Sequence, residues 1–333
     1  WQADLRQQLL IEKRTQNLLK EDFDIRASAV RGLFSFLKEA PRTGFLWRPA
    51  VAFLIILGMF GFGLGGLALA SRGSLPGEGL YFVKTAVEQA RLALVKDAEG
   101  RAKMQGEFTD RRIQELNETM LQTISLDKKK ERAELAVTQL HQQLILFKDQ
   151  LPKVESEAGK ERAVAIAESI IEKSGRAGEA VSNTKEIGRQ EGLLTGSQIV
   201  QKIVEMSQTA NETGSQALQM VVDNKEQNES LVQKVTENIQ QTEDGIKAVD
   251  DGLNNQQILA KLSDQAGIMK EQSGKAKEIL SLARKALYEN DLSQAMEKTG
   301  AAKELFSSAQ ETIEVLTIVI ESEEEADERT KEM

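Results

Sequence analysis

The residues that most often carry enzyme chemistry are scarce in this chain. It contains no cysteine, which excludes thiolate nucleophiles, disulfide bonds and cysteine-ligated zinc. The single histidine, His141, lies in the run Leu140-His141-Gln142-Gln143-Leu144. One imidazole without clustered partners forms neither a metal site nor a catalytic triad, so a place on a helix face is the expected role of His141.

Common catalytic motifs are missing as well. The sequence has no P-loop, no G-x-G-x-x-G turn after a strand, no H-E-x-x-H helix and no G-x-S-x-G elbow. Asp and Glu are abundant, but acids scattered over helix surfaces are solvated faces rather than acid–base pairs. We therefore expect no enzyme activity, no cofactor, no metal and no small-molecule substrate.

The composition indicates long helices. Aromatic residues make up only 5% of the 333 residues, and none of the 4 prolines follows Pro152. Ala, Gln, Glu, Lys, Leu and Ile, most of them good helix formers, dominate the rest of the chain. The predicted fold class is all-α: a single transmembrane helix followed by a long antiparallel helical bundle with coiled-coil hairpins.

An uncharged apolar stretch near the N-terminus predicts the membrane span, which we place at residues 47–71. From Pro49 to Ser71 no charged residue occurs over 23 positions, and about 20 apolar residues cross the hydrocarbon core of a bilayer. A cleaved signal peptide is the alternative, but it would start closer to the N-terminus and have a shorter apolar core. Because the sequence begins with Trp1 rather than Met, we expect the N-terminus shown to be incomplete.

The charge distribution predicts the orientation of this span. Residues 1–48 hold 9 basic residues (Lys or Arg) and 6 acidic residues (Asp or Glu), a net charge of +3. The whole chain has 43 basic and 52 acidic residues, so 34 basic and 46 acidic residues follow the span, a net charge of −12. Lys38, Arg42 and Arg48 precede the span closely, which favours a cytoplasmic N-terminus. We expect a bacterial cell-membrane protein with a large C-terminal domain outside the cytoplasm.

Two glycines of the span form a G-x-x-x-G pair. Gly61 and Gly65 are one helical turn apart, and such a pair lets two membrane helices approach closely. Glycine is also frequent in membrane helices generally. The pair therefore indicates either a packing contact between two copies or no specific contact.

A turn motif follows the span directly. It comprises Ser74, Leu75, Pro76, Gly77, Leu80, Tyr81 and Lys84. Pro76-Gly77 breaks the chain, and Leu80, Val83, Val87, Ala90 and Leu94 then recur in steps of three and four, which predicts an amphipathic helix near the membrane surface.

This motif resembles that of an uncharacterised bacterial family, a domain of unknown function whose members place S-L-P-G-D/E-x-L-Y-x-x-K right after one transmembrane helix. The resemblance covers about residues 45–120 and includes an R-R-x-x-E-L pattern at Arg111, Arg112, Glu115 and Leu116. It implies a topology and no assigned activity. Some members resemble membrane-bound anti-sigma factors in layout, although residues 1–46 here lack the His and Cys of a zinc-binding head. These residues instead predict one or two amphipathic helices, lying on the membrane or binding a partner.

The C-terminal part shows heptad-like seams. Three sets of apolar or small residues step by three and four, which predicts three antiparallel helices. The sets are Val232, Val235, Ile239, Thr242, Ile246, Val249 and Leu253; Leu259, Leu262, Ala266, Met269, Ser273, Ala276, Leu280, Ala283 and Leu287; and Leu292, Ala295, Thr299, Ala302, Phe306, Ala309, Ile313, Leu316 and Ile320.

Earlier helices are predicted at about 79–96, 98–123, 127–150 and 153–190, and a long helix from Ile199 toward Val249. The expected domains are a cytoplasmic segment at 1–46, the span at 47–71, a membrane-proximal helical domain of unknown function at 72–125, an elongated bundle at 126–322 and an acidic tail at 323–333.

These features favour a non-enzymatic, membrane-anchored structural, scaffold or assembly subunit of the bacterial cell envelope. The alternative is a single-pass regulator, resembling an anti-sigma factor, that senses the envelope through its exported domain. Expected partners are the lipid bilayer and a protein partner or a second copy. Nucleic acid is disfavoured because the net charge of −12 beyond the span opposes phosphate binding.

Overall fold

The computed structural model describes residues 71–194, 197–262 and 265–332, with side chains up to residue 324. All regular structure in these residues is helical, which confirms the all-α prediction for this part of the chain. After a short 3₁₀ turn at Ser71–Gly73, the helices are α1 (Tyr81–Leu94), α2 (Ala98–Leu121), α3 (Leu126–Lys148), α4 (Leu151–Ala158), α5 (Lys160–Glu191), α6 (Ser197–Asn224), α7 (Glu229–Asn254), α8 (Gln256–Leu262), α9 (Gln265–Tyr288) and α10 (Leu292–Glu332).

Helices α2, α3, α5 and α6 form a four-helix bundle. Each packs against two neighbours, in the order α2, α3, α6, α5 around the bundle. The ion pairs Glu99–Arg162 and Asp110–Lys173 show that α2 and α5 run parallel. The contacts Glu134–Lys202 and His141–Thr209 show the same for α3 and α6. The short helix α4 closes the crossover between the two hairpins.

Helices α7, α9 and α10 form a three-helix bundle beside it. Helix α9 folds back onto α10 through the turn at 289–291, where Asn290 has a left-handed φ of 62°. Helix α10 also packs on α6, so it belongs to both bundles. Buried residues of the two bundles, such as Ile170, Val235 and Phe306, join in one apolar cluster, and a second cluster, with Leu116, Leu140 and Ile318, connects the four-helix bundle with α10.

The seams are largely buried. In the third seam every residue from Leu292 to Ile313 is at most 3% exposed. One position of the second seam was predicted wrongly: Leu259 is 38% exposed, whereas its neighbour Ile258 is 2% exposed. The physical reason is that this seam is divided between α8, which ends at Leu262, and α9, which begins at Gln265, so its residues do not share one helix face.

The prediction of one long helix from Ile199 toward Val249 was wrong. Helix α6 ends at Asn224, and α7 begins at Glu229. The side chain of Asn228 accepts a hydrogen bond from the backbone N–H of Leu231 over 3.0 Å, which caps the start of α7 and stops the helices from merging. The two helices then run side by side, with Asn238 of α7 donating to Ser215 of α6.

Other predicted positions lie as follows. The domain boundary expected at 125–126 lies between α2 and α3, which are neighbours in one bundle. Helix α10 continues to Glu332, through the residues expected to form an acidic tail. The predicted cytoplasmic segment, the span up to residue 70 and its Gly61 and Gly65 lie outside the described residues. Within the described residues, none of the helices has both the length and the hydropathy needed to cross a membrane.

Candidate functional site

The turn segment, residues 74–80, is folded tightly by its own hydrogen bonds. The carboxylate of Glu78 accepts from the backbone N–H of Leu75 over 2.9 Å, and Gly77 adopts a left-handed φ of 82°. A Cβ at Gly77 would lie 3.0 Å from Cγ of Arg132, so both the conformation and the close approach require glycine. The backbone carbonyl of Ser74 accepts from Lys84 over 3.1 Å, which ties the start of the segment to α1.

The same glutamate attaches the turn segment to the bundle. Glu78 Oε1 accepts from Arg132 of α3 over 3.0 Å and from Gln122, at the end of α2, over 3.4 Å. The Leu75 hydrogen bond, together with Gln122 and Arg132, holds the pKa of Glu78 below its ordinary value, because all of them favour the carboxylate. The turn segment is thereby fixed to the end of the four-helix bundle where α2 and α3 meet.

Below the turn, five polar side chains connect α1 to α2. We call this group the clamp: Tyr81, Lys84 and Glu88 of α1, with Arg112 and Glu115 of α2. Glu115 Oε1 accepts from Lys84 Nζ and from Arg112, both over 2.6 Å, and Oε2 accepts from the Tyr81 hydroxyl over 2.9 Å. Arg112 also pairs with Glu88, whose other oxygen accepts from Arg111 over 3.2 Å.

The clamp is buried and its formal charges cancel. The side chains of Arg112, Glu115 and Glu88 are 5%, 4% and 4% exposed, so two cations face two carboxylates away from solvent. Burial raises the pKa of Tyr81, and the neighbouring carboxylates raise it further, so the phenol remains a hydrogen-bond donor. Burial opposes the charge of Arg112, but the carboxylates of Glu115 and Glu88 outweigh it and hold the pKa of Arg112 above its ordinary value.

The geometry of the clamp indicates a structural connection between two helices. Both oxygens of Glu115 are occupied by strong donors, so this carboxylate has no free site for a substrate proton. Buried pairs of this kind depend on every partner, because removing one leaves an uncompensated charge. The clamp therefore fixes the position of α1 against α2.

The structure brings together residues that the sequence presented as two separate patterns. Ser74, Leu75 and Gly77 lie in the tight turn, whereas Tyr81 and Lys84 reach Arg112 and Glu115 of the R-R-x-x-E-L pattern. Leu80 precedes α1 and is half-buried, Pro76 and Leu75 are buried, and Leu116 is fully buried.

Sequence reasoning missed Glu88, Gln122 and Arg132. Spacing could have indicated Glu88, because Tyr81, Lys84 and Glu88 are three and four residues apart and so share one helix face. The amphipathic helix was instead predicted from its apolar positions, and two of these, Ala90 and Leu94, are exposed.

A second polar cluster lies where α6, α7 and α10 meet. Ser215 Oγ accepts from Lys303 Nζ over 2.6 Å and from Asn238 over 2.7 Å, and it donates to the backbone carbonyl of Asn211 over 2.8 Å. Burial lowers the pKa of Lys303 to about 8, and Glu212 opposes this shift. Because Lys303 donates to this hydroxyl while the hydroxyl proton is directed at a carbonyl, the arrangement stabilises a helix junction rather than a nucleophile.

The isolated histidine contacts a neighbouring helix. His141 Nε2 lies 3.0 Å from Thr209 Oγ1 of α6, inside the four-helix bundle. Within the residues that the structure describes, no group of three or more His, Asp or Glu side chains is arranged to hold a metal ion.

Comparison with known proteins identifies one domain. Residues 73–191 match the model of a family described as Domain of unknown function (DUF5667). The match begins at the turn segment, includes the whole clamp and ends with α5. Neither the comparison with curated proteins nor that with solved structures finds a match.

Proposed function

We propose that this protein is a non-enzymatic, membrane-anchored scaffold or assembly subunit of the bacterial cell envelope. Its apolar helix at 47–71 would hold the long bundle at the membrane surface, with residues 1–46 in the cytoplasm. The observation that carries the proposal is the clamp, which fixes the segment directly after the anchor to the bundle through buried, charge-balanced contacts.

The fixed connection between α1 and α2 is the kind of contact that a scaffold protein requires. A flexible tether needs only a solvated linker rich in Gly and Ser. Here the chain leaves the predicted span at Ser71 and is bonded to α2 and α3 within the next eighteen residues, through Glu78, Lys84 and Glu88. Long helices attached in this way would hold a partner at a distance from the bilayer.

Topology is the first test. Protease added to spheroplasts that express the full chain should degrade the bundle and leave a protected fragment containing the anchor. A bundle that is cut only after the membrane is permeabilised would place this domain in the cytoplasm and would overturn the proposal.

Cross-linking distinguishes the scaffold from the alternative regulator. Cross-linking with mass spectrometry on intact cells should connect the bundle to envelope proteins or to further copies of itself. Cross-links that join residues 1–46 to a sigma factor would support the anti-sigma-like alternative instead. The Glu115→Gln variant should alter the cross-links of the bundle, whereas Glu118→Gln, an exposed change one turn away, should not.

We also propose that the anchors of two copies pack through Gly61 and Gly65. Isoleucine at both positions would prevent close approach of the two backbones. The double variant should therefore lose dimer signal in a membrane reporter assay of the span, while Gly63→Ile, on another face of the same helix, should keep it. Equal signals for the two variants would show that this glycine pair is not a contact.

A further inference from the structure

Helix α1 directs polar side chains toward the bundle and apolar side chains toward solvent. The residues that face α2 are the polar Tyr81, Lys84 and Glu88 of the clamp. The opposite side is apolar and exposed: Phe82 is 70% exposed and Leu94, at the helix end, is 80% exposed. Between them the exposed positions on this side are Ala86, Gln89, Ala90 and Ala93, so the side is apolar apart from Gln89. A surface helix of a soluble domain normally has the reverse arrangement.

Most charges around this apolar face are basic. Between residues 71 and 97 the exposed charged side chains are Arg72, Arg91, Lys96 and Asp97, and Asp97 caps the start of α2 by accepting from the backbone N–H of Gly100. The other two acidic residues of this stretch are engaged elsewhere, Glu78 with Arg132 and Glu88 with Arg112. A basic rim on an otherwise acidic protein matches a surface of anionic phosphates.

Along the chain, α1 follows the predicted span closely. Ser71, the last residue of the predicted span, precedes Tyr81 by ten residues, which can extend at most about 35 Å. Hydrogen bonds from Ser74 to Ser71 and from Glu78 to Leu75 fold this stretch and shorten it further. If the span crosses the bilayer, α1 begins close to the lipid headgroups.

We propose that the outer face of α1, formed by Phe82, Ala86, Ala90, Ala93 and Leu94, lies in the headgroup region of an anionic phospholipid bilayer. This inference rests on the proposed function, because it requires the preceding span to be in the membrane. The apolar side chains enter the boundary between headgroups and acyl chains, and Arg72, Arg91 and Lys96 contact lipid phosphates. The clamp transmits this orientation to the bundle.

A second copy of the chain fits this face less well. In a two-fold dimer the same surface meets itself, so the basic rim of one copy would face the basic rim of the other. Among the described residues from 71 to 97, Glu78 and Glu88 are paired with Arg132 and Arg112 and Asp97 caps α2, so three exposed cations face one exposed acid on each copy.

The test uses the absence of cysteine from the chain. Single cysteines replace Phe82, Leu94, Leu57 of the predicted span, or Tyr288, which is 91% exposed at the α9–α10 turn. Each full-length variant is spin-labelled and reconstituted in vesicles that contain phosphatidylglycerol or only phosphatidylcholine. Collision rates with oxygen, which enters lipid, and with a polar nickel chelate, which stays in water, give the location of the label.

With phosphatidylglycerol, the Phe82→Cys and Leu94→Cys labels should show an oxygen-to-nickel ratio several-fold above that of Tyr288→Cys. This ratio should fall in phosphatidylcholine vesicles and in the triple variant Arg72→Gln, Arg91→Gln and Lys96→Gln. Nickel access at position 82 equal to that at 288, with position 57 in lipid, would overturn the inference and leave the anchor intact. Nickel access at position 57 as well would contradict both this inference and the proposed membrane anchor. Labels at 82 and 94 that neither reagent reaches would indicate a protein contact and also overturn the inference.

Discussion

The hydroxyl of Tyr81 donates to Glu115 Oε2 over 2.9 Å, between residues 34 positions apart in the chain. This hydrogen bond joins the helix that follows the predicted anchor to the first helix of the four-helix bundle. The Tyr81 ring also lies under the Arg112 guanidinium, whose central carbon is 5.6 Å from the ring centroid. One side chain thus contributes both a hydrogen bond and a cation–π contact to the clamp.

Replacing Tyr81 with phenylalanine should loosen α1 without unfolding the bundle. The variant keeps the ring but removes a hydrogen bond to a charged acceptor, which is worth about 1.5–3 kcal/mol. Backbone amides of α1 should then exchange with deuterium roughly 10- to 100-fold faster. Tyr288→Phe is the control, because that side chain is 91% exposed and its loss should leave exchange unchanged. Unaltered exchange in α1 of Tyr81→Phe would show that the hydroxyl does not hold the helix.

Glu115→Gln should be the most damaging conservative change in the clamp. It leaves Lys84 and Arg112 buried without the carboxylate that they share, and breaking a buried pair in this way costs about 3–5 kcal/mol. The thermal midpoint of the full chain should fall by roughly 5–15 °C. Glu118→Gln changes an exposed residue of α2 whose side chain accepts a hydrogen bond from Gln114, and should shift the midpoint by less than about 2 °C. Equal midpoints for the two variants would mean that the clamp is not buried in solution.

Lys303 should make the stability of the helix junction depend on alkaline pH. Burial lowers its pKa from 10.5 to about 8 in the folded chain, so between these values the unfolded state binds more protons. Stability from this residue therefore rises as the pH increases from 8 to 10.5, by on the order of 2–3 kcal/mol. The wild type should gain stability relative to Lys303→Met over this range in urea melts. Lys298→Met, a change on the same helix, should show no such relative gain.

Two glycine substitutions should have opposite effects. A Cβ at Gly252 of α7 would collide with Cγ2 of Ile313 on α10, so Gly252→Ala should destabilise the three-helix bundle by about 1–3 kcal/mol. At Gly274 of α9 nothing lies within 4 Å of an added Cβ. Gly274→Ala should therefore stabilise the chain by about 0.5–1 kcal/mol through the higher helix propensity of alanine. Urea midpoints of the two variants should move in opposite directions from that of the wild type.

The helices and seams could be predicted because they depend on local periodicity. The seam positions from Leu292 to Ile313 follow the three-and-four spacing, and all of these positions are buried. The break between α6 and α7 was missed because it depends on one polar cap, Asn228, within a stretch whose composition still favours helix. Periodicity also predicted wrongly that Leu259 is buried, because the three-and-four pattern continues across the point where α8 ends.

The clamp could be predicted only in part. The sequence pointed to Tyr81, Lys84, Arg112 and Glu115 through two motifs, but it did not indicate that these motifs touch. Their contact follows from the antiparallel arrangement of α1 and α2, which places Tyr81 and Lys84 at Glu115, and Glu88 at Arg112. Partners such as Arg132 come from a third helix and have no local sequence signal.

Helix α10 packs on α6 and also on α7 and α9, and it runs antiparallel to α6. In its C-terminal half, Glu314 pairs with Lys185 and Ile318 shares a buried cluster with Met120, so this part of α10 lies at the end of the four-helix bundle that also carries the turn segment. Because α10 shares buried side chains with α6, α7 and α9, neither bundle can lose it without exposing part of the core of the other. We therefore expect the two bundles to unfold in urea as one cooperative unit rather than in two steps.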